Sequence, residues 1–452
     1  MEQAERQYRK CLPVPMYRNE FTSWQVLKNC IGKELTTIAM PVVYNEPLSF
    51  LQRLAEYMEY AYLLRKAAEQ EDPIERLQLV IGFAVSALAS NWDRLGKPFN
   101  PLLGETFELK RAEFKMVCEQ VSHHPPVSAF HAEGEGWVFH GSIHPKLSFW
   151  GKNVEIQPQG VITVEFPKLK EAYWWSNVKC IVHNIIVGKL WMEQIGKMEI
   201  NSYSSDIKAY LHFKAATGNN KELHKVEGFI TNKANEKLLF VYGKWSDYVK
   251  VTDLDSFDEY VRAHPLQFAG LSETKSPGAS PSRSSKKVLQ KLNSLKVSSL
   301  NKSQSTSEDV SLQEMRDNAI CQNHHTYFIE IPNSTLIWES DGRPDHSSDY
   351  YNFTNFAMSL NEIEKNEPLC PTDSRLRPDI RKLEKGDIEG AATEKTRLEE
   401  KQRDANKSRK SKKSPEWTPR WFCLGVNPYT KQEDWMYNGN YWNRQYTDPD
   451  IF

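Results

Sequence analysis

Residues 119–130 read Glu-Gln-Val-Ser-His-His-Pro-Pro-Val-Ser-Ala-Phe. Two adjacent histidines end a short polar and β-branched run, and two prolines follow that cannot donate a backbone hydrogen bond. Because the apolar pattern resumes after the prolines, this stretch predicts a strand, a sharp interruption and a second strand. The interruption exposes the imidazoles of His123 and His124. A hydrogen-bonded structural corner is the alternative interpretation of this histidine pair.

A strand pattern extends on both sides of this stretch, from Thr106 to about Asp253. Apolar and polar residues alternate there, as in Ala209, Leu211 and Phe213 with polar residues between them. Turn residues rich in glycine, proline and asparagine separate the strand-like runs. The pattern predicts an antiparallel meander that closes or curls to protect its edges, as a sandwich or barrel. A large barrel leaves room for a ligand cavity.

Helical patterns precede the predicted sheet. Leu48 to Glu69 and Pro73 to Leu95 predict two helices, and proline suits the first turn of the second one. The second helix is apolar on most sides, so we expect it to be buried. An amphipathic segment begins at Asn19 and either packs permanently onto the body or acts as a movable cover. Its apolar stripe includes Phe21, Trp24, Leu27 and Ile31.

The chain changes character after the predicted sheet. Residues 272–311 are rich in serine and lysine and predict a disordered insertion. Leu336 to Glu339 and Phe353 to Met358 predict two further strands. A charged helix is expected from Gly390 to Lys407, and we expect the aromatic-rich tail, Trp417 to Phe452, to pack against the body.

Composition excludes several classes of protein. The 58 basic and 59 acidic residues leave a formal net charge of −1, so no global field attracts nucleic acid or membranes. The seven cysteines are scattered singly, which argues against a disulfide framework and a cysteine-type zinc site. The charged start of the chain is unlike a signal peptide, and no apolar run is long enough to span a bilayer. We expect a cytoplasmic protein that touches membranes only peripherally.

Three polar clusters are candidates for chemistry. One lies in the Pro/Gly-rich loop 96–105, the second is the histidine pair, and the third has i, i+4, i+8 spacing on the charged helix. That spacing places the third cluster on one helix face, where a surface ion-pair ladder is the alternative interpretation. The residues are Lys97, Asn100 and Glu105 in the loop, His123 and His124 in the pair, and Lys395, Glu399 and Arg403 on the helix.

Phosphate recognition explains these clusters more simply than catalysis or metal binding. Ser122 precedes the histidines, but neighbouring strand residues point to opposite faces, and there is no Gly-x-Ser-x-Gly motif. The other nearby histidines match no strong metal-binding spacing. Histidine, lysine and arginine can all donate charge-assisted hydrogen bonds to a phosphate. We therefore expect no catalytic residue and no metal site.

The motifs also carry a family resemblance. Residues 119–126 resemble the signature of the oxysterol-binding protein family, and residues 97–105 resemble its second motif. Residues 398–403 and 420–422 look like the family as well. The resemblance covers roughly Leu12 to Phe452 and is strongest to the short members of the oxysterol-binding-protein-related group, which consist essentially of the lipid-binding domain.

This resemblance implies an α+β, mainly β fold. Its core is a large, near-complete antiparallel β-barrel around a lipid tunnel, with an N-terminal lid and helices and a C-terminal helical subdomain. The implied segments are a lead-in (1–18), the lid (19–38), a helical segment (39–95), the barrel core (96–271 and 316–380), the insertion (272–315), and a C-terminal helix with an aromatic-rich tail (381–452).

The family's function implies lipid transfer without catalysis and without a cofactor. The ligands would be a sterol, such as cholesterol or an oxysterol, and a phosphatidylinositol phosphate, which compete for one tunnel and are exchanged between membranes. The protein would contact anionic membranes peripherally and would not bind nucleic acid. A lipid-regulated sensor or scaffold at membrane contact sites is the alternative function.

The headgroup residues follow from the matched motifs, whereas the lid is placed by its position and amphipathicity only. The lid residues that would face the lipid or the bilayer are Phe21, Trp24, Leu27 and Ile31. The residues that would contact the phosphoinositide headgroup are Lys97, Asn100, His123, His124, Lys395, Glu399 and Arg403.

Overall fold

A computed structural model describes ten segments of the chain. They are residues 8–17, 41–94, 96–150, 152–185, 190–216, 223–264, 329–364, 367–411, 417–447 and 449–452. The predicted lid (19–38), with Phe21, Trp24, Leu27 and Ile31, and the predicted insertion (272–315) lie outside these residues. Within the described segments, no helix is long and apolar enough to cross a membrane.

The described segments contain eighteen strands. The strands are β1 (Asn45–Ser49), β2 (Lys97–Phe99), β3 (Thr106–Lys110), β4 (Phe114–His123), β5 (Pro126–Gly134), β6 (Trp137–Trp150), β7 (Asn153–Gln159), β8 (Ile162–Phe166), β9 (Glu171–Trp175), β10 (Lys179–His183), β11 (Trp191–Ser202), β12 (Ile207–Phe213), β13 (Lys225–Asn232), β14 (Lys237–Lys244), β15 (Tyr248–Asp253), β16 (Thr335–Glu339), β17 (Phe422–Val426) and β18 (Glu433–Tyr437).

Fourteen of these strands form one antiparallel sheet. Its order is β16-β15-β14-β13-β12-β11-β10-β7-β6-β5-β4-β3, and β8 and β9 form a second connection between β6 and β11. The sheet branches at β6 and β11, because these strands are long enough to pair with different partners along their length. For example, β6 pairs with β7 through its second half and with β8 through its first half. The predicted antiparallel meander and the mainly β, α+β fold class are confirmed. The two connections between β6 and β11 close a ring of strands.

Seven α-helices lie in the described segments. They are α1 (Phe50–Ala55), α2 (Tyr62–Ala68), α3 (Pro73–Ala89), α4 (Leu254–Ala263), α5 (Asn355–Ser359), α6 (Pro378–Glu384) and α7 (Ile388–Ser411). As predicted, α3 starts at a proline, and the Asp72 carboxylate caps it by accepting from the Ile74 N–H at 2.7 Å. Most of α3 is buried against the sheet. A Cβ on Gly82 would come within 3.0 Å of Ile337, so glycine lets α3 approach β16 closely.

Two element predictions are wrong. Phe353 to Met358 is not a strand: the Thr354 hydroxyl accepts from the Ala357 N–H at 3.2 Å and caps helix α5 instead. Leu48 to Glu69 is not one helix either. It begins in β1, and α1 starts after a capping box between Ser49 and Gln52, before a 3-10 turn and α2.

The C-terminal part covers the outer side of the hairpin formed by β4 and β5. The strands β17 and β18 form a separate hairpin, which packs against β5 and β6. Val117, Val121 and Ala129 of the large sheet share a buried cluster with Trp421 and Tyr441. The predicted packing of the aromatic tail against the body is therefore confirmed.

Candidate functional site

The turn between β4 and β5 carries the two imidazoles. His123 is the last residue of β4 and pairs with Pro126, the first residue of β5. Because Pro125 and Pro126 have no N–H, the hydrogen-bond ladder ends here. The two histidine rings lie with centroids 4.6 Å apart, and His124 is exposed while His123 is partly buried. The predicted strand, interruption and strand are confirmed, whereas the expected exposure holds for His124 and not for His123.

The loop 96–105 is held against this hairpin by its backbone. Lys97 begins β2 and pairs with Asn45 of β1, whose side-chain amide donates to the Lys97 carbonyl at 3.0 Å. At the other end of the loop, the Gly104 N–H donates to the Gln120 carbonyl at 3.0 Å. Gly104 has a φ of 81°, and a Cβ there would meet the Trp417 ring at 2.6 Å. Glycine is therefore required by both conformation and packing.

Glu105 has a structural role inside the loop. Its side chain is fully buried and accepts hydrogen bonds both from the loop and from residues near position 375. The backbone carbonyl of Asn100 belongs to the same network and accepts from Arg377 Nη1 at 2.9 Å. The groups that donate to the Glu105 carboxylate are the Leu102 N–H at 2.8 Å, the Ser374 hydroxyl at 2.6 Å and Arg377 Nη1 at 2.7 Å.

Helix α7 supplies the third cluster. Lys395 Nζ lies 2.9 Å from Glu399 Oε1, so the predicted face carries an ion pair. Both side chains are partly buried, whereas Arg403 is exposed. The helix packs against α6, and Ala391 and Leu398 are its buried residues. This packing determines which face of α7 is turned toward the loop 96–105 and the β4–β5 hairpin.

Gln402 connects the three clusters directly. Its side-chain oxygen accepts from the Leu103 N–H of the loop at 2.7 Å. Its side-chain nitrogen lies 2.9 Å from Nε2 of His123. A single amide on α7 therefore holds both the loop and the histidine turn in place.

The pKa values show that these groups share one environment. The pKa of Lys97 is lowered, first by burial and then by repulsion from Lys395, and Glu399 opposes the shift. The pKa of His123 is lowered to about 4 by burial and by His124, again opposed by Glu399. Glu399 thus faces both Lys97 and His123. Two lysines with one glutamate leave an excess positive charge, which suits an anionic ligand.

A mainly apolar cavity of about 320 Å³ opens next to this charged cluster. Every second residue of four neighbouring strands points into it, as expected for one face of a sheet. In one row across the strands, Ile156 of β7 pairs with Cys180 of β10, which pairs with Gln194 of β11. The apolar lining residues include Leu54, Ile143, Leu147, Val154, Val178, Val182 and Met192.

Lys97 also lines this cavity. The same side chain therefore belongs both to the apolar cavity and to the charged cluster. Arg53 and Arg94 are the other cations in the wall. Arg53 is held by Glu46 and by Asn91, each with an oxygen 2.8 Å away. Arg94 is ion-paired with two buried carboxylates. Since Lys97 is instead close to another lysine, it is the better candidate for an anion at the end of the cavity.

Five of the seven predicted headgroup residues come together in the structure: Lys97, His123, His124, Lys395 and Glu399. Asn100 and Arg403 are both exposed. Within the described segments, neither of their side chains forms a hydrogen bond or ion pair with these five. The described residues also contain no cluster of three or more potential metal ligands.

A family model described as oxysterol-binding protein matches residues 22–446. The chain belongs to the oxysterol-binding protein family. The match spans the loop, the histidine turn and helix α7, which meet at the candidate site, and it also spans the C-terminal hairpin.

Curated members of the family are similar over the whole chain. Oxysterol-binding protein-related protein 1 from Homo sapiens is 50% identical over 455 residues, which cover 99% of this chain and 44% of that protein. Oxysterol-binding protein-related protein 2 from Homo sapiens is 46% identical over 463 residues, which cover 100% of this chain and 89% of that protein. The chain thus spans less than half the length of related protein 1.

Solved structures of family members share the fold. The Osh1 ORD domain in complex with cholesterol has a TM-score of 0.77 at 31% identity, covering 99% of this chain and 95% of that one. The Osh3 ORD of Saccharomyces cerevisiae in complex with PI(4)P has a TM-score of 0.69 at 28% identity, covering 97% and 96%.

Two residues of the site were missed by the sequence interpretation. Gln402 lies three residues after Glu399 and seven after Lys395, so helical spacing already placed it on the same face. Gln194 lines the cavity, and its side-chain oxygen has no hydrogen-bond partner among the described residues. No motif marks it, because only the pairing of β11 with β10 brings it to the cavity.

Proposed function

We propose that this chain binds one lipid at a time, a sterol or a phosphatidylinositol phosphate, and exchanges the two between membranes without altering either chemically. The observation that carries this proposal is the position of Lys97. It lines an apolar cavity and also lies in the cluster of Lys395, Glu399 and the two histidines. Such a cavity suits a ligand that is apolar over most of its length and anionic at one end.

Competition follows from a shared cavity. A sterol is almost wholly apolar and would occupy the cavity lined by the four strands. A phosphoinositide would place its acyl chains there and its phosphates against the charged cluster. Two such ligands exclude each other, so release of one lipid accompanies uptake of the other. Burial of apolar lipid surface contributes about 25 cal/mol per Å² to either complex.

The solved relatives support both halves of this proposal. The Osh1 ORD is described with cholesterol and also with ergosterol, and the Osh3 ORD with PI(4)P. We extend both ligand classes to this chain. The residues proposed for the headgroup are Lys97, Asn100, His123, His124, Lys395, Glu399 and Arg403. The proposed lid remains a prediction, as does peripheral contact with anionic membranes.

A transfer assay between liposomes tests the function. Donor vesicles carry a fluorescent sterol and acceptor vesicles carry phosphatidylinositol phosphate, and the purified chain should speed sterol transfer over the spontaneous rate. Acceptors without phosphoinositide should support a slower rate. If the chain fails to accelerate sterol transfer with either acceptor, the proposal is wrong.

Mass spectrometry of the recovered lipids tests the absence of chemistry. The lipids should return with unchanged masses after prolonged incubation with the chain. A new lipid species that depends on the protein would instead identify an enzyme.

A further inference from the structure

The side-chain amide of Gln402 has two chemically distinct ends, an oxygen that only accepts hydrogen bonds and an NH₂ group that only donates them. It can therefore determine which nitrogen of a neighbouring imidazole carries the proton. The backbone N–H of Leu103 can only donate, so the group that it meets at 2.7 Å is the amide oxygen of Gln402. The amide NH₂ must then face His123, where it lies 2.9 Å from Nε2. Since an NH₂ group can only donate, His123 Nε2 is the acceptor of this hydrogen bond.

The proton of His123 can therefore be assigned. Burial lowers the pKa of His123 to about 4, and repulsion from His124 adds to the shift while Glu399 opposes it, so the ring is neutral near pH 7. A neutral imidazole carries one N–H. Because Nε2 accepts from Gln402, the N–H is at Nδ1.

That donor is left without a partner. The Nδ1 atom of His123 is buried and has no hydrogen-bond partner among the described residues. An unsatisfied buried donor destabilises the ligand-free chain and favours any acceptor that enters the site. Lys97 and Lys395 add positive charge around Glu399, so an anionic acceptor is preferred.

We propose that Gln402 is a positioning residue that holds His123 as its Nδ1–H tautomer, so that this N–H donates to a phosphate oxygen. The identity of that phosphate as a lipid headgroup rests on the function proposed above. The tautomer itself does not, since it follows from the contacts of the ligand-free chain. Because the donor is a neutral N–H, binding requires no protonation of His123.

Nuclear magnetic resonance of the full chain with ¹⁵N-labelled histidine tests the tautomer. In the lipid-free protein, long-range ¹H–¹⁵N correlations should show a protonated Nδ1 and an unprotonated Nε2 for His123, with the signals assigned by their loss in His123→Gln. In Gln402→Glu, the carboxylate still accepts from Leu103 but can no longer donate. His123 should then carry its proton on Nε2, or on both nitrogens.

Asn406→Asp is the matched control for that substitution. It adds the same negative charge one turn further along α7, and it should leave the tautomer unchanged. A wild-type ring protonated at Nε2 would overturn the proposal. So would a Gln402→Glu spectrum with the wild-type tautomer.

Binding gives a second and independent readout. Gln402→Met keeps the side-chain length but removes both hydrogen bonds, so extraction of phosphatidylinositol phosphate from vesicles should fall about tenfold. Sterol extraction should stay within twofold of wild type, which shows that the cavity is intact. An equal loss of both lipids would mean that Gln402 acts only on the fold.

Two probes separate the lipid from free phosphate. The His123 Nδ1–H signal should shift when vesicles containing phosphatidylinositol phosphate are added, and phosphatidylcholine vesicles are the control. A similar shift with millimolar inorganic phosphate assigns the donor to the phosphate group alone. A signal that moves with neither probe contradicts the proposed donor. If the wild type extracts no phosphoinositide but shows the Nδ1–H tautomer, the proposed function fails while the tautomer assignment holds.

Discussion

Residues of the motif 119–126 lie in two different kinds of surroundings. His123 ends strand β4 and contacts Gln402, whereas Glu119, four residues earlier, is fully buried. The two oxygens of Glu119 accept from the backbone N–H groups of Arg420 and Trp421 at 2.8 and 2.9 Å. The motif therefore joins the candidate site to the C-terminal hairpin.

The histidine pair can be tested by removing both rings. His123→Ala with His124→Ala should abolish extraction of phosphatidylinositol phosphate, since it deletes two donors for phosphate. Sterol extraction should remain largely intact because neither ring lines the cavity. His212→Ala, on the exposed side of β12, is the control. Loss of both lipids from a folded variant would show that the pair is structural.

Glu119→Gln should instead reduce stability. The substitution turns one acceptor into an NH₂ group facing a backbone N–H, so the free energy of unfolding should fall by about 2 kcal/mol. Urea unfolding measures the change. Glu133→Gln, which alters a half-exposed ion pair with Lys115, should change it by less than about 1 kcal/mol. An unchanged unfolding midpoint in Glu119→Gln would contradict the structural role.

At the scale of elements, the C-terminal hairpin docks on the large sheet through aromatic and polar contacts. Tyr437 of β18 stacks on His131 of β5, with ring centroids 4.5 Å apart. Asp434 accepts from the Ser142 hydroxyl at 2.6 Å. Because His131 is packed between strands, its burial and the nearby His140 lower its pKa to about 4. The ring on which Tyr437 stacks is therefore neutral near pH 7.

The pH dependence of stability tests whether folding keeps His131 neutral. Between pH 6.5 and 4, the unfolded chain protonates His131 while the folded chain does not, so the free energy of unfolding falls as pH is lowered. His131→Phe should remove this loss, which amounts to roughly 3 kcal/mol for a shift of this size. The measurement is urea unfolding of both proteins at pH 7 and pH 4.5.

Comparison with the variant is essential because another group acts in the opposite direction. Burial and repulsion from Glu56 raise the pKa of Glu59 to about 8, so its contribution to stability is present at low pH and is lost as pH rises through about 8. The difference between wild type and His131→Phe cancels Glu59. Parallel pH profiles for the two proteins would contradict a neutral, partly buried His131.

At the scale of the whole molecule, the sheet supplies a cavity whose walls come from several strands. Its row of Ile156, Cys180 and Gln194 joins β7, β10 and β11. Lys97 brings the charged cluster to the same cavity from the loop before β3. Sterol and phosphoinositide binding should therefore share the apolar wall and differ in the charged cluster.

Filling the cavity should affect both lipids together. Ile156→Trp places a larger ring in the cavity, so extraction of sterol and of phosphatidylinositol phosphate should each fall at least about tenfold. Gln157→Trp, on the exposed side of the same strand, is the control for the bulky residue. Retention of phosphoinositide extraction in Ile156→Trp would show that its acyl chains lie elsewhere.

Elements that are specified by a pattern or cap within a few residues could be predicted from the sequence. The period-two pattern predicted the meander, Pro73 marked the start of α3, and the double proline marked the turn after His123. Helical spacing also put Lys395 and Glu399 on one face. The strand expected at Phe353 to Met358 was wrong because a single cap at Thr354 outweighed the strand-like composition.

Tertiary structure alone decided how these parts meet. Gln402 and His123 are 279 residues apart, and their hydrogen bond exists only because α7 packs beside the β4–β5 turn. Burial at that contact, rather than residue type, makes His123 neutral. The same holds for Lys97, whose pKa is lowered by burial and by a lysine from another element. Residue types and spacing follow from the sequence, whereas proton positions and shared surfaces depend on contacts and desolvation that arise when distant segments pack.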